Sequence, residues 1–204
     1  MLNSQVSVKH AIVSLIFVLF MFGCASPPKP TINLNSANHQ LMLKQQQNWQ
    51  LKGKIGFKSP DKKQSANLRW LQQQDHYQLN LTTIIGTSLL SLKGKRGAVE
   101  LITDDQTYQD TDPSRLIWRV TGWQIPVEQL SLWIKGQHQN KDAVQLSEQG
   151  WVTQISPNCK RCHDWVIMYD NYQLVETSWL PHKIVLKNHI TNSQLLIKVN
   201  EWTL

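Results

Sequence analysis

The chain has 204 residues, 41% hydrophobic, 17% charged and 8% aromatic, with 21 Lys and Arg against 14 Asp and Glu and a net charge of +7. That mixture excludes a disordered tail, a collagen-like repeat and a polytopic membrane protein. About 180 residues remain beyond an apolar N-terminus, which suits a single domain with a sizeable core.

The N-terminus sets the expected compartment. Residues 11–22, AIVSLIFVLFMF, form an apolar run interrupted only by Ser14 and preceded by Lys9 and His10. The run is shorter than the roughly 20 apolar residues of a spanning helix and has the length of a signal-peptide core. At its end, Met21-Phe22-Gly23-Cys24-Ala25-Ser26 looks like a bacterial lipobox, in which the cysteine after a small residue receives a diacylglyceryl thioether. The expected organisation is a lipoprotein signal peptide over 1–23, a lipidated Cys24 with a flexible tether containing Pro27-Pro28-Lys29-Pro30 over 24–35, and a folded domain over 36–204.

A three-chain lipid anchor exceeds the two-signal threshold for stable attachment. Ala25 and Ser26, not Asp, come after the cysteine, and by the sorting rule for such lipoproteins this directs the protein to the outer membrane of a Gram-negative bacterium, with the domain facing the periplasm. Nucleic acid is excluded as a partner by that compartment. Removing residues 1–23 deletes Lys9 and no acid, leaving +6. The basic residues are scattered (Lys52, Lys54, Lys58, Lys62, Lys63 and others), which reads first as solvated strand faces and second as a face for anionic lipid headgroups.

Period-2 alternation dominates the body. In Trp49-Gln50-Leu51-Lys52-Gly53-Lys54-Ile55-Gly56-Phe57-Lys58 the apolar side chains hold the odd positions, predicting a strand with one buried and one wet face. The same pattern recurs at Ala66, Leu68 and Trp70; Tyr77, Leu79 and Leu81; Leu90 and Leu92; Val99 and Leu101; Trp165, Ile167 and Tyr169; Ile184 and Leu186; and Leu195, Ile197 and Val199. Turn residues separate these runs.

Helical signals are few. Asp112-Pro113-Ser114 opens one helix with Leu116, Ile117 and Val120 on one side, and Pro126 to Gly136 reads as a second with a Gly stop. A third is placed near Ser36–Gln47. The fold class is therefore mainly β with a few helices: an unclosed antiparallel barrel, or half-barrel, capped by short α-helices. Nine Trp residues fall mostly on inward positions. They fit either an ordinary aromatic core or the wall of an acyl-chain cavity, and pattern alone does not choose.

Cys159-Lys160-Arg161-Cys162-His163 matches the C-x-x-C-H signature of c-type haem attachment. It lies between two strands with no helical shell, and it does not open a helix as a thioredoxin-like pair does. A small structural disulfide between Cys159 and Cys162, in an oxidising compartment, is the favoured reading. No nucleophile, base and orienting acid fall together, the seven His lack metal-ligand spacing, and no phosphate loop exists. No metal, no cofactor beyond the lipid on Cys24, and no enzymatic activity are expected. In Leu81-Thr82-Thr83-Ile84-Ile85-Gly86-Thr87-Ser88 two Ile precede a Gly between alternating strands. Apolar residues at a turn tip either tuck under the sheet or project toward something apolar, such as a membrane.

These features together resemble the LolB family of outer-membrane lipoprotein receptors, over about Trp49 to Trp202. The resemblance rests on Trp49-Gln50-Leu51-Lys52-Gly53, on Trp70 with Tyr77 to Thr82 leading into Ile84-Ile85-Gly86, on Gly122 to Gly136, and on Asn200-Glu201-Trp202. It implies a LolA/LolB-like half-barrel whose apolar cavity accepts the acyl chains of a lipoprotein delivered by the soluble periplasmic carrier LolA, without ATP. It also implies a membrane-insertion loop, usually Pro-Leu-Gly; here Ile84, Ile85 and Gly86 take those positions. The expected cavity wall is Trp49, Leu51, Ile55, Leu68, Trp70, Leu79, Ile117 and Trp118, the expected partners are the carrier, the cargo's acyl chains and outer-membrane lipid, and a monomer is expected. The alternative is a structural or assembly outer-membrane lipoprotein with an ordinary aromatic core and no cargo.

Overall fold

Alternating side chains and β-branched or aromatic inward positions make long strands, and polar tight turns fold each strand back on the last. In the computed structural model, which describes residues 33–204, the first meander is β1 (Asn48–Lys58), β2 (Lys63–Gln73), β3 (His76–Thr82), β4 (Ser88–Lys95), β5 (Ala98–Ile102) and β6 (Thr107–Asp110). The second is β7 (Ala143–Leu146), β8 (Val152–Ser156), β9 (Trp165–Val175), β10 (Ser178–Asn188) and β11 (Ser193–Thr203). Three helices complete the described residues: α1 (Ser36–Gln45), α2 (Pro113–Thr121) and α3 (Val127–Trp133). The expected signal peptide, Cys24 and most of the expected tether lie outside the described residues.

All eleven strands belong to one sheet, in the order β6-β5-β4-β3-β2-β1-β11-β10-β9-β8-β7. Every pairing is antiparallel. The two meanders meet at the centre, where β1 pairs with β11 from Gln50 opposite Thr203 to Lys58 opposite Gln194. That register slips once, between Lys52 and Gly53. A Cβ at Gly53 would collide with the carbonyl oxygen of Lys198, so only glycine fits this close approach. The sheet stays open: β6 and β7 are its edges, and the helical segment between them leaves one edge and returns to the other.

The alternation expected from sequence is the alternation observed. Trp49, Leu51, Ile55 and Phe57 of β1, Leu68 and Trp70 of β2, Leu79 and Leu81 of β3 and Leu195, Ile197 and Val199 of β11 are all buried on one face. The helix starts also agree with their signals. Asp112 accepts a hydrogen bond from the Arg115 N–H at 3.0 Å, Pro113 sits in the first turn, and Gly122 closes α2 in a left-handed conformation. Two short edge strands, β6 and β7, are not foreseen by the alternation. Thr107-Tyr108-Gln109-Asp110 and Ala143-Val144-Gln145-Leu146 are too short and polar to show a period, and pairing with a neighbour defines them.

Candidate functional site: an apolar interior and an apolar tip

An indole cluster and a small apolar cavity occupy different ends of the interior. At the lower end, Trp49 packs against Trp70 at 5.2 Å and against Trp202 at 5.5 Å between ring centroids. The Trp70 N–H donates to Gln72 Oε1 and the Trp202 N–H to the Pro181 carbonyl, so these buried rings are polar-satisfied as well as packed. Toward the other end lies a small cavity of about 40 Å³ lined by apolar side chains alone. The sheet contributes Ile55, Leu79, Leu81, Leu90, Leu92 and Leu195, and the helical cover contributes Ile117, Trp123, Ile125, Val127 and Leu130.

Of the eight residues expected to wall a cavity, Ile55, Leu79 and Ile117 line this one. Trp49, Leu51, Leu68 and Trp70 are buried in the same core but lie outside the lining, in and around the aromatic cluster. Trp118 is a correction. It is 54% exposed and faces an outer groove with Ser114, Arg115, Pro126 and Arg161. One residue along a helix turns the side chain by about 100°, so if Leu116 and Ile117 face the sheet, Trp118 cannot join them. The lining residues missed from sequence on the sheet, Leu81, Leu90, Leu92 and Leu195, stand on the alternation that marked Ile55 and Leu79. Trp123 and Ile125 lie in the connection from α2 to α3, where no period gives a signal, whereas Val127 and Leu130 stand on α3, whose apolar face the helical spacing from Pro126 to Gly136 marks.

The cover is held by polar contacts at its rim. Ser114 Oγ accepts from the Val127 N–H at 2.8 Å and donates to Glu128 at 2.6 Å, fastening α3 to α2. Arg115 and Arg119 both pair with Asp110, and the Asp110 carboxyl is held far below the usual carboxylate range, first by the Arg115 hydrogen bond. Arg161, from the β8–β9 loop, reaches Asp112 at 2.8 Å and ties the second meander to the start of α2. Inside, Trp123 stacks on Phe57 at 4.7 Å, and its buried indole N–H has no acceptor among the described residues.

A buried cation sits beyond α3. Lys135, only 4% exposed, donates to the carbonyls of Leu43 and Gln46 at 2.7 and 2.8 Å, capping the C-terminal end of α1. Burial lowers its pKa to about 8. His39 of α1 is also buried, with Nε2 2.8 Å from the Trp179 carbonyl, and burial lowers its pKa. A lysine after the apolar Leu132-Trp133-Ile134 reads as the solvated end of a helix, and sequence reasoning missed this role.

The loop between β3 and β4 projects two apolar side chains. Ile84 and Ile85 are each 89% exposed. They occupy the central positions of a β-turn closed by the Gly86 N–H on the Thr83 carbonyl at 3.0 Å. The Thr83 N–H donates to the Thr87 carbonyl, the Thr87 N–H to Thr83 Oγ1, and Asn67 Nδ2 to the Thr83 carbonyl. Gly86 has φ of 92°, a left-handed value that brings the chain back into β4. The turn is thus pinned on four hydrogen bonds, and its apolar residues do not tuck under the sheet.

Cys159 and Cys162 are paired as a disulfide in the β8–β9 loop, with Cα atoms 5.2 Å apart. Among the described residues, no group of three or more His, Cys, Asp or Glu could hold a metal ion.

Comparison with known proteins agrees with this arrangement. The sequence profile of the family described as outer membrane lipoprotein LolB matches residues 47–202. Curated relatives named outer-membrane lipoprotein LolB include those of Tolumonas auensis, 36% identical over 94% of this chain and 96% of the relative, and Vibrio cholerae, 34% identical over 97% of each. Among solved structures, a putative outer membrane lipoprotein-sorting protein domain from Vibrio parahaemolyticus matches with a TM-score of 0.53 at 12% identity, over 83% of this chain and 93% of that one. A LolA superfamily protein from Nitrosomonas europaea matches with a TM-score of 0.50 at 10% identity, over 84% and 94%. At such identities the structures speak for the fold, and the near-full-length sequence matches speak for the family. The chain belongs to the outer-membrane lipoprotein LolB family, a family of lipoprotein localisation and not of enzymes.

Proposed function

We propose that this protein takes lipoproteins from the soluble carrier LolA, holds their acyl chains between the sheet and the α2–α3 cover, and inserts them into the outer membrane without ATP. The observation that carries this reading is the interior cavity lined by apolar side chains alone beneath a helical cover. At about 40 Å³ it is far smaller than the roughly 300–1,000 Å³ of ordinary ligand pockets. Uptake therefore requires the cover to lift from the sheet, exposing Ile117, Trp123 and Leu130 to the incoming chains. The unpartnered Trp123 N–H is a donor for an ester or amide carbonyl of the cargo's lipid linkage.

Cys24 is the lipid anchor, the domain faces the periplasm as a monomer, and the Cys159–Cys162 disulfide suits that oxidising compartment. The Ile84-Ile85-Gly86 loop meets the outer membrane during release. Transfer runs downhill, because affinities that rise by about 1.4 kcal/mol from carrier to receptor and again from receptor to bilayer give a tenfold bias at each step.

The test is to mix the protein with carrier preloaded with a triacylated lipoprotein, in the absence of ATP, and ask whether the cargo changes hands. Transfer is expected. Failure, with both proteins folded and the carrier competent, would favour an outer-membrane lipoprotein whose interior is only a core.

A further inference from the structure

The sheet register places several turns together at one end. β1, β3 and β10 run toward it and β2, β4, β9 and β11 run away, so the turns β1–β2, β3–β4 and β10–β11 share that end. The β3–β4 turn carries Ile84 and Ile85. The β10–β11 turn carries Ile190, which is 68% exposed. The two tips stand on either side of the central β1–β2 turn.

Ile190 is held out as firmly as Ile85. The side-chain oxygen of the buried Asn188 accepts from both the Ile190 and the Thr191 N–H at 2.9 Å, and the His189 N–H donates to the Asp164 carbonyl. Asn192 comes next with φ of 50°, turning the chain back into β11. An apolar side chain fixed in water on a rigid turn gains nothing in the isolated molecule. Between the tips, Lys62 of the β1–β2 turn and Lys63 at the start of β2 are exposed, as is Lys187 at the end of β10. The exposed Asp61 lies in the same turn and offsets one of these charges, and the exposed Asp104 and Asp105 belong to the β5–β6 turn beyond the β3–β4 tip, so the three lysines leave the stretch between the two apolar tips net basic.

We propose that Ile190 is a second lipid contact, and that the β3–β4 and β10–β11 turns together seat this end of the domain on a bilayer, with Lys62, Lys63 and Lys187 at the level of anionic phosphate headgroups. The inference rests on the reading of the Ile84–Ile85 loop as a membrane-contact element and extends it to a part of the chain some hundred residues away. One apolar tip allows the domain to pivot about it; two tips separated by a basic turn fix its tilt, and with it the direction in which the cavity's cover faces.

The experiment uses the full chain reconstituted in mixed phosphatidylethanolamine–phosphatidylglycerol vesicles. An environment-sensitive fluorophore is attached in turn through Ile190→Cys, Ile85→Cys and Leu174→Cys. Leu174, 56% exposed, lies beside the β9–β10 turn at the opposite end and serves as the control. The expected result is a blue shift and quenching by spin-labelled lipid at positions 190 and 85, and neither at 174. A position 190 that stays in water while position 85 enters the bilayer overturns this inference and leaves the loop reading intact. If both stay in water, the loop reading fails too. Quenching equal at all three positions overturns the defined tilt.

Discussion

Replacing Lys135 with Met should abolish a rise in stability that the wild-type domain shows on moving from neutral to alkaline pH. Lys135 is buried and its pKa falls from the ordinary 10.5 to about 8. Above pH 8 the folded amine gives up its proton while the unfolded one keeps it, so the unfolded chain binds more protons and stability rises with pH. Between pH 7 and pH 9.5 that linkage is worth about 2 kcal/mol. Tyr77, raised to about 12, and the buried Tyr169 and Tyr172, also raised, act in the opposite sense as pH passes through 10. They are common to both proteins, so the difference between wild type and variant isolates the lysine. Urea unfolding of the domain from Asn33 to Leu204, followed by Trp fluorescence at the two pH values, provides the measurement. An equal pH response in wild type and Lys135→Met would refute the argument that burial, and not the two carbonyl partners, governs this amine.

Gly53→Ala should lose about 1–3 kcal/mol in the same unfolding assay, because the new methyl meets the Lys198 carbonyl at the β1–β11 slip; Gly56→Ala, where a Cβ has room, should be near neutral. Ile85→Glu should leave cargo uptake from the carrier unchanged and slow release into vesicles about tenfold or more, since burying one Ile is worth roughly 1.5–3 kcal/mol; equal loss of both steps contradicts a role confined to release. Trp123→Phe keeps the stacking on Phe57 and removes the N–H, so affinity for a diacylated lipopeptide should fall about fivefold, the value of one hydrogen bond. An ether-linked analogue without the ester carbonyls should show a smaller difference, measured by displacement of a hydrophobic fluorophore.

Much of the fold could be read from residues. Alternation at Trp49 to Lys58 and its repeats placed the inward face, and Asp112-Pro113 placed a helix start, because both signals are local: a strand's two faces and a helix's first turn are properties of a few neighbouring residues. The candidate site was only partly legible. Ile55, Leu79 and Ile117 line the cavity, but Trp49 and Trp70 fill the space beside it, since a shared inward face does not say how far along the strand a void lies. Trp118 has the aromatic character of a cavity residue, and the helical phase overrules that character. Lys135 was invisible because its partners, the carbonyls of Leu43 and Gln46, lie about ninety residues earlier in the chain. Ile84 and Ile85 were conspicuous, yet whether they point in or out depends on Asn67 and the Thr83 turn, which only the folded loop brings together.

The central β1–β11 seam also orders the folding of the chain. Each meander consists of neighbouring hairpins that can close as soon as they are made, whereas the seam joins Gln50 to Thr203 and waits for β11. Until then the first meander carries β1 as a bare edge, with Trp49, Leu51, Ile55 and Phe57 on its apolar face, the kind of edge that recruits other chains. Chains cut short before Ser193 are therefore expected to aggregate instead of merely lacking their last strand. Of the described strands, the one made last shields the one made first.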